Sequence, residues 1–98
     1  MKSYFIIDID IHDADQFREY VRLAPSTVAA AGGVFLVRGG AHRILEGEPA
    51  LHRMIVIEFP NRAAFDGWYQ SSEYRDLLAL RDRCSSSVAF VVDGVAHA

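Results

Sequence analysis

Apolar residues occupy every second position over the first segment of the chain. From Tyr4 to Ile11, phenylalanine and isoleucine alternate with tyrosine, aspartate and one further isoleucine. This period of two predicts a β-strand with one apolar face and one mixed face. Similar patterns predict strands over Val34–Arg38, Leu51–Phe59 and Val88–Asp93, with an extended segment over Ala41–Glu46 and a turn at 47–49 between the second and third.

Three segments have helical features. Asp13 is predicted as an N-cap with Gln16 as its capping-box partner, and the apolar residues that follow at helical spacing predict one buried stripe: Phe17, Tyr20, Val21, Ala24 and Val28. Pro25 predicts a kink or a restart, and Gly32–Gly33 predicts the helix end.

After Pro60, Asn61 is the predicted N-cap of a short helix that carries Phe65, Trp68 and Tyr69. A break at 71–72 precedes a helix through Tyr74, Leu77, Leu78, Arg81 and Cys84, with Cys84 on its buried side, and the three serines at 85–87 are predicted to form a loop.

The order strand, helix, strand, strand, helix, strand is the split βαβ pattern of ferredoxin-like α+β proteins. It predicts a four-stranded antiparallel sheet with the helices on one face. The other face would expose Ile6, Leu36, Val56 and Val91. An apolar patch of that size predicts a homodimer that closes two sheets face to face, with a cavity between or beside them.

Length and charge limit the classes of protein to which the chain can belong. With 98 residues the chain predicts one domain, over 1–98, and a formal net charge of -3 with dispersed arginines argues against nucleic-acid binding. Asp8 interrupts the N-terminal apolar run, so no export signal or membrane span is expected. A lone Cys84 then favours a reducing cytoplasm.

Several separated segments resemble one family. They are Phe35–Gly40, Glu46–Gly47, Glu58–Arg62, Trp68–Tyr69 and Ser71–Tyr74. In this order they are similar to the family called domain of unknown function 1330, within the dimeric α-β barrel superfamily, over about Tyr4 to Val95. The resemblance implies the ferredoxin-like fold and the dimer. It does not imply a reaction, because the superfamily includes cofactor-independent monooxygenases, haem-degrading enzymes, isomerases and ligand-sensing domains.

Candidate polar residues are expected on the open sheet face. Asp8 and Glu58 should lie on neighbouring strands with Tyr4, Arg38 and His42 within reach, and two carboxylates in a partly apolar cavity can serve as acid and base. A simpler interpretation pairs them with Arg38 or an arginine of the partner subunit, since no nucleophile accompanies them.

Trp68 and Tyr69 are interpreted either as walls of a pocket for a planar ligand or as core residues. His12, His42, His52 and His97 have no metal-ligand spacing, so no metal site is predicted. His42, after a glycine pair, is the candidate general base, with an exposed loop residue as the alternative. Neither a flavin fingerprint nor a nicotinamide-binding glycine pattern is present, and no cofactor is expected.

Three functions remain open. The first is a dimer that binds a small organic molecule in a cavity lined by Tyr4, Asp8, Arg38, His42, Glu58 and Trp68. The second is a cofactor-independent monooxygenase or isomerase acting on a small aromatic or carbonyl compound, with Glu58, Asp8 or His42 as the proton acceptor. The third is a purely structural dimer.

Overall fold

A computed structural model describes residues 1–96 and contains one four-stranded sheet and three helices. In chain order the elements are β1 (Ser3–Ile11), α1 (Ala14–Ala30), β2 (Val34–Arg38), β3 (Arg53–Phe59), α2 (Arg62–Tyr69), α3 (Ser72–Cys84) and β4 (Ser85–Asp93). The strands are antiparallel in the order β2-β3-β1-β4. This is the predicted α+β ferredoxin-like fold, with the second helical region divided into α2 and α3.

The helix starts follow from capping side chains. The Asp13 carboxylate accepts hydrogen bonds from the backbone N–H groups of Asp15 and Gln16, and the Gln16 amide donates to it at 2.9 Å. At the start of α2, the Asn61 side chain accepts from the N–H of Ala64 at 2.8 Å. Both predicted caps are confirmed.

Helix α1 differs from its prediction at two positions. It continues through Pro25 without the expected restart, because buried Tyr20, Ala24 and Val28 anchor it on both sides of the proline. Val21 was expected in the buried stripe but is 41% exposed. Because Pro25 has no N–H, the Val21 carbonyl loses its intrahelical hydrogen bond. The exposed position of Val21 leaves this carbonyl accessible to water. The helix ends as predicted, with Gly32 at φ 79°.

The core lies between the helices and one face of the sheet. Alternate β1 residues Phe5, Ile7 and Ile9 point to that side and are buried, as are Ile57 and Phe59 of β3. Val91 pairs with Phe5 and packs against this core, so its predicted place on the open face is wrong. The residues that β4 presents there are Val88, Phe90 and Val92.

Two other segments depart from the prediction. Residues 41–46 belong to an exposed irregular connection rather than an extended strand. The three serines at 85–87 are not a loop, because they pair with residues 9–11 of β1 and begin β4. None of the helices in residues 1–96 is long and apolar enough to cross a membrane.

Candidate functional site

The open face is the side of the sheet that carries Tyr4, Ile6, Asp8 and Asp10 of β1. Across the sheet, Ile6 lies between Val56 and Phe90. The exposed apolar residues of β4 continue this surface, with Val88 at 70%, Phe90 at 53% and Val92 at 46% exposure. An apolar strip therefore crosses the middle and one edge of the open face, and polar groups lie at its two ends.

At one end, Asp8 is held by His52. The Asp8 carboxylate accepts the backbone N–H of His52 at 2.7 Å and lies 3.1 Å from the imidazole Nδ1. The His52 Nε2 is 3.7 Å from an Asp10 carboxylate oxygen. Desolvation acts to raise the pKa of Asp8, but the hydrogen bonds from His52 outweigh it and hold that pKa below its usual value.

His52 is the functional candidate that sequence reasoning missed. The signal was present, because His52 has the same strand parity as Met54, Val56 and Glu58, and the register that pairs Ile9 with Arg53 brings His52 opposite Asp10. His42, the predicted general base, lies on the exposed connection between β2 and β3. The His42 imidazole also acts to lower the pKa of Asp8.

At the other end, Glu58 is paired with residues of the first strand. The Tyr4 hydroxyl donates to a Glu58 carboxylate oxygen at 3.3 Å, and the Lys2 ammonium is 3.6 Å from the other oxygen. These contacts confirm that Tyr4 and Glu58 are neighbours on the open face. They also give Glu58 a hydrogen bond and a cation from its own chain.

Asp8 and Glu58 do not form a carboxylate pair. Glu58 lies opposite Tyr4 and Asp8 lies opposite Met54. The two positions are therefore four residue steps apart along β1, which corresponds to about 14 Å. Because shared protonation requires carboxylates a few ångströms apart, the expected acid–base pair is wrong.

Arg38 does not reach the open face. A bulge between Phe35 and Val37 shifts the pairing so that Arg38 lies opposite Ile55, whose side chain is on the core side of the sheet. The guanidinium carbon lies 4.5 Å from the ring centroid of Phe35. Arg38 therefore occupies the helix side, and the expected pairing with Asp8 or Glu58 within one chain is wrong.

Trp68 and Tyr69 also lie on the helix side. Trp68 is 3% exposed, and its indole N–H donates to the Thr27 hydroxyl at 3.0 Å. The Tyr69 ring stacks on Phe65 with centroids 5.4 Å apart. The core interpretation of Trp68 is the one the structure supports, and neither residue can line a cavity on the open face.

His12 makes a separate contact. The His12 Nε2 is 2.8 Å from the Ser86 hydroxyl, and His97 lies outside the described residues. Within residues 1–96, no group of three or more histidine, cysteine, aspartate or glutamate side chains is arranged to hold a metal ion. Among residues 1–96, the open face brings His52 into contact with Asp8 and Asp10, and Glu58 into contact with Tyr4 and Lys2.

The element order, the sheet order and the uncovered face define a ferredoxin-like α+β protein. A family model described as "Domain of unknown function (DUF1330)" matches residues 2–95. The chain therefore belongs to this family, as its sequence motifs predicted. No curated protein matches the sequence.

Solved structures support the same fold. RPA0582 of Rhodopseudomonas palustris, a protein of unknown function, has 15% identity and a TM-score of 0.78, with 98% of this chain and 84% of that chain covered. A dimeric ferredoxin-like protein of unknown function from Jannaschia sp. has 10% identity and a TM-score of 0.78, with coverage of 96% and 100%. SnoaB of Streptomyces nogalater, described as a cofactor-independent oxygenase, has 12% identity and a TM-score of 0.67, with coverage of 98% and 95%.

Proposed function

We propose that the chain is a single domain over 1–98 that forms a cytoplasmic homodimer through its open face and binds a small organic molecule there. The observation that carries the proposal is the position of the Asp8–His52 pair beside an exposed apolar strip on one face of the sheet. A ligand with an apolar body and one hydrogen-bonding group, such as a phenol or a carbonyl compound, complements that combination.

The apolar strip supports association with a second copy. Full burial of a valine or phenylalanine side chain contributes about 2 kcal/mol, so burying the remaining half of Val88, Phe90 and Val92 contributes about 1 kcal/mol each. Twofold symmetry doubles this to about 6 kcal/mol, near the lower limit of the cost of association. Exposed Val34 and Val37 of β2 lie on the same face and extend the surface available for contact. The dimeric ferredoxin-like protein from Jannaschia sp. is a precedent for this assembly.

The polar groups favour a ligand over a dry interface. Asp8 and His52 each retain hydrogen-bonding capacity beyond their mutual contact, and burying such capacity against valine side chains costs free energy. A bound molecule that donates to or accepts from His52 removes this cost. For this reason we favour ligand binding over a structural dimer.

A second candidate is a cofactor-independent enzyme that abstracts a proton from an aromatic or carbonyl compound. The Asp8 carboxylate contacts one nitrogen of the His52 imidazole, an arrangement in which a carboxylate orients a histidine base. SnoaB, a cofactor-independent oxygenase, is a precedent for such activity on this fold. His52 is the preferred proton acceptor here, because the lowered pKa of Asp8 makes that carboxylate a weaker base.

The dimer is tested by changing the open face alone. Phe90→Arg places a charge on the exposed strip, whereas Ala79→Arg places the same charge on an exposed position of α3. In size-exclusion chromatography with light scattering, we expect the wild type and Ala79→Arg to be dimers and Phe90→Arg to be a monomer. A monomeric wild type, or a Phe90→Arg dimer as stable as the wild type, would contradict the assembly.

Ligand binding is tested by native mass spectrometry of protein isolated under mild conditions. We expect a retained small molecule that is lost from His52→Asn and kept by His12→Asn, because the His12 imidazole contacts Ser86 and not Asp8. Equal retention by both variants would refute the role of His52. A dimer whose crystal structure has no space at the interface would favour the structural alternative. Turnover of the identified molecule, lost in His52→Asn with binding retained, would favour the enzyme.

A further inference from the structure

A pair of arginines lies on the helix side of the sheet, opposite the proposed binding face. Arg38 pairs with Ile55, and Arg53 precedes Ile55 by two residues on β3. The two arginines are therefore diagonal neighbours on the same face, with Cβ atoms about 7 Å apart. Side chains as long as arginine can bring their guanidinium groups to one point from this spacing.

Neither arginine is neutralised by a carboxylate. Across residues 1–96, the ion pairs within 4.0 Å involve other basic residues. The Nε of Arg53 is also buried without a hydrogen-bond partner among the described residues. A buried donor without an acceptor is costly, and two adjacent unpaired cations repel each other. An anion between them would relieve both effects.

The two arginines border a small cavity between α1 and the β2–β3 edge of the sheet. Its volume is about 30 Å³, enough for about two water-sized atoms. The other lining residues are mainly apolar: Phe17, Tyr20, Val21, Ala24, Pro25, Phe35 and Ile55. Two oxygens of a planar carboxylate match this size. The apolar lining further favours an organic acid over a hydrated inorganic ion.

We propose that Arg38 and Arg53 bind the carboxylate of a small organic acid in this cavity. Two neighbouring guanidinium groups can each donate to a carboxylate oxygen, and charge-assisted hydrogen bonds of this kind are stronger than neutral ones. The packing of Phe35 against the Arg38 guanidinium holds one donor in place. Gly39 makes room for the other, because a Cβ at this position would collide with the guanidinium of Arg53.

Acetate is a suitable probe because it carries the carboxylate on a single methyl group, and acetamide is its neutral counterpart. Sodium acetate is titrated against sodium chloride at constant ionic strength, with NMR detection of the Arg53 Nε–H and the Gly39 amide. We expect saturable shifts with acetate and none with acetamide or chloride. Arg38→Gln and Arg53→Gln should weaken acetate binding about tenfold or more, since each removes a charged donor. Arg43→Gln, on the exposed connection, should bind acetate like the wild type.

Three results would overturn the assignment. They are shifts that rise linearly without saturation, equal responses to acetate and acetamide, and wild-type affinity in both Arg38→Gln and Arg53→Gln. Arg38 is exposed, so its variant remains informative if Arg53→Gln does not fold. Because the cavity and the open face are on opposite sides of the sheet, acetate binding and ligand retention by His52 are tested independently.

Discussion

Replacing Tyr74 with phenylalanine tests the buried polar contact between α1 and α3. Tyr74 is fully buried, and its hydroxyl lies 2.7 Å from that of Tyr20 and accepts from the Arg81 guanidinium at 2.9 Å. Arg81 is itself 3% exposed, and its Nε has no partner among the described residues. Burial raises the pKa of both tyrosines, so their hydroxyls stay protonated at neutral pH. The contact is therefore a network of two neutral hydroxyls and one desolvated cation.

The geometry predicts unequal effects for the two tyrosines. Tyr74→Phe removes the acceptor of a charged, buried donor, which costs about 2 kcal/mol, and leaves the Tyr20 hydroxyl unpaired, which costs about 1 kcal/mol more. Tyr20→Phe removes the neutral bond between hydroxyls and a weaker interaction with Arg81, which keeps the Tyr74 hydroxyl as its acceptor, and should cost about 1 kcal/mol. The total for Tyr74→Phe is then about 3 kcal/mol, a large part of the stability of a small domain.

Urea unfolding at one fixed protein concentration measures the difference. With an m value of about 1.5 kcal/mol/M, Tyr74→Phe should lower the midpoint by about 2 M and Tyr20→Phe by less than 1 M. In the Tyr74→Phe background, Tyr20→Phe should cost less than it does in the wild type, because the bond between the two hydroxyls is already absent. The reasoning is refuted if the two single variants are equally destabilised, or if their effects add in the double variant.

Three further measurements test other parts of the structure. Carbon-13 NMR should give Asp8 a pKa below the usual value of an aspartate, and this pKa should rise in His52→Ala. The stability that Asp8 contributes is then complete above its unfolded-state pKa and is lost as the pH falls through the lower folded-state pKa. An Asp8 pKa that is unchanged in His52→Ala would contradict the role of His52. Gly33→Ala should destabilise by about 1–3 kcal/mol, because the added Cβ would lie 2.7 Å from Val28 and 2.9 Å from Phe59. At Gly67 an added Cβ meets nothing within 4 Å, so Gly67→Ala should stabilise α2 by about 0.5–1 kcal/mol in the same urea assay. Equal changes in stability for Gly33→Ala and Gly67→Ala would refute this comparison. The Cys84 thiol, whose pKa is raised by burial, should react with a disulfide reagent only after unfolding, and rapid reaction in buffer would contradict its burial.

The sequence pattern correctly predicted the elements that are specified by residues close together in the chain. The alternation over β1 predicted both of its faces, and the side chains of Asp13 and Asn61 identified two helix starts. The serines at 85–87 have no such signal, because they lack apolar alternation. They form a strand because β1 provides backbone partners along its full length. This pairing depends on tertiary structure, which strand propensity does not take into account.

The candidate site was predicted in part, for a related reason. Tyr4, Asp8 and Glu58 were placed on the open face correctly, because β1 and β3 keep their alternation and pair without interruption. Their separation along the sheet depended on the register, which the sequence pattern leaves undefined. Trp68 satisfies its indole N–H with Thr27 of α1, a contact between two helices that no spacing within α2 reveals.

The bulge in β2 has the largest consequence for function. With uninterrupted pairing, Arg38 would lie on the open face and could neutralise Asp8 with a permanent positive charge. One additional residue between Phe35 and Val37 moves Arg38 to the other side of the sheet. Asp8 is therefore left with His52, a partner that can gain and lose a proton. The same residue brings Arg38 to the side of the sheet that carries Arg53. One irregularity therefore leaves the Asp8–His52 pair on one face and, on the other, two arginines with no carboxylate within 4.0 Å among residues 1–96.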